Sequence, residues 1–271
     1  VMEGKALLFK AMANIDAFPI CLNTQDVDEI VKTVTYIAPV FGGVNLEDIS
    51  APRCFEIEKR LQDIGIPVMH DDQHGTAVVV LAALLNAATV VHKKFEELRV
   101  VVNGAGAAGT AISKILTCTN YSQNICTSVK ELVVCDSKGS IYKGRGDLQG
   151  HKEQLADMTN KNRKKGSLSE MMEGADVFIG VSRGNIVHED MIKRMAKQPI
   201  VFALSNPIPE IMPDKAKKGG ATVIATGRSD FPNQVNNVLA FPGIFRGALD
   251  ASSERITDAM KLQAAHAIAN I

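Results

Sequence analysis

The chain has 271 residues, 46% of them apolar, which permits one large α/β domain or a large domain with a small partner. Lysine plus arginine and aspartate plus glutamate number 30 each, so charge favours neither nucleic acid nor an anionic membrane as a partner. The five cysteines are odd in number and lack C-x-x-C spacing, which argues against a disulfide framework or a thiolate zinc site and indicates a reducing compartment.

The first 75 residues alternate short helical and extended patterns. Helices are predicted over 4–13, 28–37 and 52–63, and strands over 18–22, 41–46 and 66–69. The acidic pairs Glu47-Asp48 and Asp71-Asp72 follow the last two strands closely, at carboxyl ends where α/β proteins gather ligands. Carboxylates from separate loops suit Mg²⁺ or Mn²⁺ better than zinc, so these pairs predict a site for a hard divalent metal.

A histidine site is the alternative for the same segment. His70 and His74 have the i, i+4 spacing of zinc ligands on a helix, but H-D-D-Q-H is not H-E-x-x-H, and Gly75 disfavours a continuous helix there. We expect both histidines to shape the loop through hydrogen bonds instead.

After Gly75 the pattern changes to that of alternating helices and strands. A long apolar helix ends near Lys93-Lys94; its apolar stretch, 77–91, is interrupted by Asn86 and is too short to span a bilayer comfortably. Strands are predicted over 99–102, 131–135, 177–181, 200–204 and 222–225. The fold class is therefore α/β, a doubly wound parallel sheet preceded by part of a smaller α/β domain.

A glycine-rich turn follows the first strand of this sheet. Its residues are Gly104, Ala105, Gly106, Ala107, Ala108 and Gly109, which form G-x-G-x-x-G before a helix predicted over 107–116. The glycines permit a tight turn, approach to a pyrophosphate and close helix packing, which predicts a Rossmann-type site for NAD or NADP.

Asp136 ends the second strand and is the expected ribose ligand. It lies 27 residues after Gly109, a long spacing that we attribute to an inserted surface loop over 119–130. A carboxylate favours the 2′-hydroxyl of NAD, yet four following residues can reverse that preference: Ser137, Lys138, Lys143 and Arg145.

Several longer motifs together resemble the malic enzymes, especially the compact microbial type, over nearly the whole chain. They are V-M-E-G-K-A-L-L-F-K, F-G-G-V-N-L-E-D-I-S-A-P-R-C-F-E-I-E, P-V-M-H-D-D-Q-H-G-T-A, V-V-N-G-A-G-A-A-G, D-S-K-G, F-A-L-S-N-P and N-N-V-L-A-F-P-G. The resemblance implies oxidative decarboxylation of (S)-malate to pyruvate and CO₂ with reduction of NAD or NADP, in the presence of Mg²⁺ or Mn²⁺.

The resemblance also implies roles for individual residues. Lys5 matches the catalytic lysine that accepts the proton of the malate hydroxyl, and Asp71 the aspartate that assists it. The implied metal ligands are Glu47, Asp48 and Asp72, and the implied amides near substrate and nicotinamide are Asn206 and Asn237, with Asn236 as the alternative to Asn237.

The resemblance sets further expectations for the whole protein. Residues 1–72 would form part of a substrate and metal domain and 73–271 the nucleotide domain, in a homo-oligomer, a dimer being favoured, located in the cytoplasm or an organellar matrix. The family's proton-donating tyrosine lies in a Tyr-Thr-Pro segment upstream of the lysine, and Tyr36, Tyr121 and Tyr142 do not match it. We therefore expect part of the native protein to lie upstream of Val1.

Two other functions stay open on the sequence. A metal-dependent dehydrogenase of another 2-hydroxy acid would keep the glycine turn and the carboxylates. A catalytically silent dinucleotide-binding module would bind the cofactor without turning over any acid.

Overall fold

The computed structural model describes residues 1–122 and 124–271, and its strands form two sheets. The smaller sheet pairs β1 (Val44–Leu46) with β2 (Val68–His70) in parallel. Around it lie α1 (Met2–Ala13), α2 (Val27–Ile37) and α3 (Arg53–Arg60). Its own small core consists of apolar side chains from α2, α3 and the two strands: Ile30, Val34, Leu46, Ile57, Leu61 and Val68.

The larger sheet has six strands and follows the doubly wound plan that the sequence predicts. The strands are β3 (Arg99–Asn103), β4 (Glu131–Asp136), β5 (Gly139–Ser140), β6 (Val177–Gly180), β7 (Ile200–Ala203) and β8 (Val223–Thr226). Their spatial order is β5-β4-β3-β6-β7-β8, and only β5 is antiparallel to its neighbour. Successive strands are therefore added on one side of β3 as far as β5 and on its other side from β6 onward. The position beside β3 is the switch point where such folds bind ligands.

Helices cover both faces of the larger sheet. They are α4 (Asp71–Val90), α5 (Ala107–Leu116), α6 (His151–Met158), α7 (Leu168–Met172), α8 (Glu189–Lys193), α9 (Pro213–Lys218), α10 (Phe241–Asp250) and α11 (Asp258–Ala269). Val100 and Val102 of β3 point into one core with α4 and α5, whereas Val101 points into the other core. This alternation is the period of two expected of a strand buried on both faces.

The long apolar helix α4 lies at the centre of the fold. Within the described residues it is the one helix long and apolar enough to cross a membrane, but 61% of its apolar window is buried inside the protein. It packs on α5 and α11, which is the environment of a core helix.

Three predictions about local structure are wrong. No strand forms over 18–22: among the described residues the small sheet consists of β1 and β2 alone, the segment pairs with neither of their free edges, and Phe18 is 70% exposed. The expectation that Gly75 interrupts a helix in this segment is also wrong, because α4 starts at Asp71 and continues through Gly75.

The third correction concerns the cysteines. Cys118 and Cys126 form a disulfide, which an odd cysteine count does not preclude, because the turn after α5 brings these two together and leaves the other three free. The loop predicted over 119–130 lies here, and its residue Gln123 is outside the described residues.

Candidate active site

Three carboxylates converge where the two strands of the small sheet end. Parallel pairing places Leu46 opposite His70, so the acidic residues that follow each strand emerge side by side. One oxygen each from Glu47, Asp48 and Asp72 lies within 4.8 Å of the others. The backbone N–H of Asp48 donates to Asp72 Oδ2 at 2.9 Å, which ties the segment after β1 to the first turn of α4.

The electrostatics of this cluster suit a divalent cation. Glu47 is buried, and burial together with the negative charges of Asp72 and Asp71 raises its pKa to about 8, although Lys5 opposes the shift. The cluster thus concentrates more negative charge than the nearby lysine neutralises. Three oxygen donors with uncompensated charge fit Mg²⁺ or Mn²⁺, and the residues present can hold such an ion.

Lys5 lies beside the cluster and is held from several sides. Its Nζ forms ion pairs with Asp71 and, at 3.1 Å, with Glu47. The same Nζ lies 4.1 Å from the centre of the Phe241 ring, a cation–π distance. Asn237 Nδ2 donates to Asp71 Oδ2 at 2.6 Å and so fixes the carboxylate that receives Lys5.

The pKa values of Lys5 and Asp71 are both raised, for different reasons. Burial lowers the pKa of Lys5, but the charges of Asp71 and Glu47 outweigh it and the net change is a rise. Burial raises the pKa of Asp71 to about 6, against the opposing effect of Lys5. Asp71 is therefore a better proton acceptor than an ordinary aspartate.

Gly75 makes room for Asp71 inside α4, one turn further along the helix. A Cβ at Gly75 would overlap Asp71 Oδ1, and it would lie 2.9 Å from Asp71 Cγ and 3.2 Å from Asn237 Cβ. The glycine that argued against a helix from sequence is thus required by the packing of the Asp71 carboxylate within that helix.

Neither histidine belongs to the carboxylate cluster, although His70 Nε2 lies 3.9 Å from Asp72 Oδ2. His74 Nε2 contacts Glu58 Oε2 at 2.9 Å, as expected of a histidine that shapes its surroundings. Burial tends to raise the pKa of Glu58, but His74 and a backbone amide lower it to about 2. The His70 ring is fully buried and its nitrogens have no hydrogen-bond partner among the described residues, so the prediction of a loop-shaping hydrogen bond is wrong for that ring.

The glycine turn after β3 has the geometry of a pyrophosphate site. Gly104 has φ +131°, and a Cβ there would lie 2.7 Å from the carbonyl oxygen of Val181. A Cβ at Gly109 would overlap the carbonyl oxygen of Gly104, so α5 can approach the strand only because that residue is glycine. Gly106 caps α5 with open space at its Cβ position, and no side chain caps the first N–H groups of the helix, the groups that bind phosphates in such turns.

Asp136, at the end of β4, is already paired with two cations. Arg145 Nη2 lies 2.7 Å and Lys152 Nζ 2.8 Å from its Oδ2, and the amide of Lys138 donates to Oδ1 at 3.0 Å. Burial opposes but does not cancel these contacts, which lower the pKa of Asp136 to about 2. Two other residues that could reverse the cofactor preference are paired elsewhere: Lys138 with Asp147, and Lys143 with Asp157.

One cleft of about 640 Å³ connects the carboxylate cluster to the glycine turn. Asp48 and Asp72 line one end, and Gly106, Ala107 and Ala108 line the other. The wall between them consists of residues that follow β6, β7 and β8: Val181, Ser182, Leu204, Ser205, Asn206, Gly227, Val235, Asn236 and Asn237. Ala105 is buried behind the turn and accepts a hydrogen bond from His151 through its carbonyl oxygen.

The paired asparagines differ in what they contact. Asn236 donates from Nδ2 to the Gly227 carbonyl and accepts from the Val238 amide, so both ends of its amide hold its own loop. Asn237 reaches across to Asp71.

Four residues at these sites escaped the sequence analysis. Asn45 donates to Glu47 Oε2 at 3.0 Å, Phe241 lies over Lys5, Gly75 accommodates Asp71, and Lys152 pairs with Asp136. Asn45 and Gly75 stand within the motifs around the acidic pairs, and Phe241 within A-F-P-G. No sequence motif marks Lys152, because it lies in α6 and its partner Asp136 lies at the end of β4.

Fold and site together define an α/β dinucleotide-binding protein with a carboxylate cluster that can hold a hard metal ion. Residues 73–271 match the family described as "Malic enzyme, NAD binding domain", and residues 1–62 match "Malic enzyme, N-terminal domain". The chain belongs to the malic enzyme family, as the sequence resemblance predicted. Neither match tests the boundary at residue 72, which stays a prediction.

Individual relatives agree with this assignment. The chain is 56% identical to the bifunctional malic/malolactic enzyme of Bacillus subtilis and 55% identical to the NAD-dependent malic enzyme of Geobacillus stearothermophilus. All of this chain aligns in both cases, but it spans only 65% and 55% of the lengths of those relatives. A crystal structure of the NAD-dependent malic enzyme of Thermotoga maritima superposes with a TM-score of 0.92 at 52% identity, covering 98% of this chain and 69% of that one.

Proposed function

We propose that the protein catalyses the oxidative decarboxylation of (S)-malate to pyruvate and CO₂, with reduction of NAD or NADP and a divalent metal ion. The observation that carries this proposal is the single cleft that joins Asp48 and Asp72 to the glycine turn, with Lys5 paired to two carboxylates beside it. A substrate bound at the cluster would lie next to both a proton acceptor and the dinucleotide. The names of the relatives support the same reaction.

Glu47, Asp48 and Asp72 would hold the metal ion. When bound, Mg²⁺ or Mn²⁺ supplies a Lewis acid that polarises the C2 oxygen of malate and stabilises negative charge on it during decarboxylation. Asn45 orients the Glu47 carboxylate, and the Asp48 amide orients Asp72.

The Lys5–Asp71 pair would accept the proton of the malate hydroxyl. As C2 gave up hydride to a bound nicotinamide, the hydroxyl proton would move to Lys5 Nζ, which must first pass its own proton to a neighbour. Asp71 is that neighbour: its own pKa, raised to about 6, favours the transfer, whereas the raised pKa of Lys5 opposes it. Asn237 and Phe241 hold the two partners in contact while the proton moves between them.

The glycine turn and Asp136 would bind the two halves of the dinucleotide. The amides at the start of α5 would bind the pyrophosphate, and Asp136 lies at the end of the neighbouring strand, where the adenosine ribose would sit. Because Arg145 and Lys152 neutralise Asp136, its charge would not exclude a 2′-phosphate. This supports binding of both NAD and NADP, and relatives named for each cofactor exist at 55% and 46% identity.

Exposed apolar side chains support assembly as a homodimer. Leu7, Met12 and Phe18 are 58–70% exposed. Of these three, Phe18 lines a second cleft of about 480 Å³ beside α1, which Lys5 and Glu47 of the candidate active site also line. Sedimentation equilibrium with aspartate at Leu7 and Phe18 tests this, since a dimer formed through this face should dissociate.

A substrate panel tests the proposed reaction. Malate with Mn²⁺ should reduce NAD or NADP, and the Asp72→Ala protein should not. Turnover of a different 2-hydroxy acid, with no pyruvate from malate, would instead favour the related dehydrogenase. Dinucleotide binding without turnover of any acid would favour the silent module.

A further inference from the structure

Glu210 is a buried carboxylate outside the metal cluster and outside the Lys5 pair. It lies between β7 and α9 and is fully excluded from solvent. In the described part of the chain its side chain is held by backbone amides rather than by a cation. An ionised carboxylate that is buried without a cation destabilises the folded state, so its presence here requires an explanation.

The carboxylate bridges the ends of two adjacent strands. Its Oε1 accepts from the backbone N–H of Ser182, just after β6, at 2.9 Å. Its Oε2 accepts from the backbone N–H of Ser205, just after β7, at 3.1 Å. The backbone carbonyl of Glu210 accepts from the amides of Ile186 and Val187, so the residue that forms the bridge is itself fixed.

The last residue of β6 leaves space for this carboxylate. A Cβ at Gly180 would lie 2.6 Å from Glu210 Oε1 and 2.7 Å from its Cγ, closer than such contacts occur. Glycine at position 180 and glutamate at position 210 are thus one structural feature formed from two distant parts of the chain.

Two amide donors facing one side chain require two acceptors. A glutamate of this length offers an acceptor on each oxygen, whereas glutamine would turn an NH₂ group toward one of the backbone N–H groups. That backbone donor would lose its partner in a buried place, and the strand end that carries it would shift to find another.

Both bridged residues line the cleft. Ser182 and Ser205 form part of its wall, and Asn206 follows directly after Ser205. Asn103, at the end of β3, donates to Ser182 Oγ at 2.7 Å, so the ends of three neighbouring strands are connected. In the strand order, β6 and β7 lie on the opposite side of β3 from β4, which carries Asp136 at the adenosine end.

We propose that Glu210 is a positioning residue for the nicotinamide half of the dinucleotide, because it sets the spacing of the Ser182 and Ser205–Asn206 walls. This inference rests on the proposed binding of NAD or NADP in the cleft. The adenosine half is held elsewhere, by the glycine turn and the end of β4, and does not depend on Glu210.

Calorimetric titration measures the dissociation constants of NADH and of ADP-ribose, which lacks nicotinamide. Comparing the two distinguishes an effect on the nicotinamide half of the site from one on the adenosine half. Glu210→Gln should raise the dissociation constant for NADH about tenfold, the effect of one unpaired buried donor, and leave that for ADP-ribose within about twofold. The matched control is Asp176→Asn. Asp176 also accepts from a backbone amide, that of Arg99 at 2.9 Å, and unlike Glu210 it pairs with a cation, Lys93, at 2.7 Å. It lies at the amino ends of the strands and does not line the cleft. The control should bind both ligands as the wild type does.

Each result decides the inference. Equal weakening of NADH and ADP-ribose would show a general structural role and overturn it, as would a Glu210→Gln protein that binds NADH like the wild type. If Glu210→Gln does not fold, Glu210→Asp replaces it, because its carboxylate is one methylene too short to form the bridge. It too should weaken NADH binding and leave ADP-ribose binding nearly unchanged. A wild-type protein that binds neither ligand would overturn the proposed dinucleotide site itself, and this inference with it.

Discussion

Replacing Gly75 with alanine should disable the Lys5–Asp71 pair without unfolding the protein. The added methyl would overlap Asp71 Oδ1 and lie 2.9 Å from its Cγ, whereas real contacts of this kind stay above 3.0 Å. The methyl is fixed to the α4 backbone, so the Asp71 carboxylate must rotate away. It then loses both Lys5 and the Asn237 hydrogen bond of 2.6 Å.

The size of the effect follows from two opposing contributions. Hydrogen bonds to charged groups contribute about 1.5–3 kcal/mol each, while glycine to alanine inside a helix stabilises by up to about 1 kcal/mol. The unfolding free energy should therefore fall by about 2–5 kcal/mol, which stays within the stability of about 5–15 kcal/mol typical of a folded protein. Loss of proton transfer should lower kcat at least about 100-fold.

The assay is malate-dependent reduction of NAD or NADP by the full-length protein, with urea unfolding measured in parallel. The control is Gly247→Ala in α10, where a Cβ would meet nothing within 4 Å. That variant should gain up to about 1 kcal/mol of stability and keep its kcat. A Gly75→Ala protein with wild-type kcat would refute the role assigned to the pair.

Four further predictions concern the metal, the base and the cofactor. Asp72→Ala should abolish Mn²⁺ binding measured by electron paramagnetic resonance, and His74→Ala should largely preserve it; the reverse ranking would revive the histidine site. Apparent Mn²⁺ affinity should rise with pH up to about 8 and then level off, because the ion competes with the proton on Glu47; an affinity independent of pH between 6 and 8 would contradict that raised pKa. Lys5→Ala should suppress malate oxidation but not NADH binding, and a small primary amine should restore some rate; full activity would leave Asp71 as the base. Asp136→Ala should weaken NAD and improve NADP binding, since it removes the carboxylate and frees two cations; an unchanged ratio of dissociation constants would mean that the ribose lies elsewhere.

The sequence predicts the parts of this protein that depend on local pattern. The five predicted strands of the larger sheet, the helix over 107–116 and the positions of both acidic pairs after strands are confirmed, because hydrophobic period and glycine spacing determine them locally. The short β5 was not predicted. The placement of Lys5 against the cluster was implied only by family resemblance. No local pattern indicates that a residue of the first helix meets one 66 positions later.

What the sequence could not predict comes from contacts between distant segments. Gly75 reads as a helix breaker until the Asp71 carboxylate is seen in the space that a side chain would take. Residues 18–22 have strand composition, but a strand forms only if the segment pairs with a neighbour, and it pairs with neither edge of the two-stranded sheet. Glu210 and Gly180 carry no local signal, since their relation exists only after β6 and β7 have paired.

Product analysis with malate carrying ¹³C at C4 tests the central claim most directly. In the presence of Mn²⁺ and NAD or NADP, the label should appear in CO₂, with pyruvate and reduced cofactor formed in equal amounts. Label retained in oxaloacetate would contradict decarboxylation at this site, and lactate formed without reduced cofactor would contradict net oxidation. No conversion by a full-length protein that binds both Mn²⁺ and NADH would contradict the assignment of Lys5 and Asp71 as its proton acceptor.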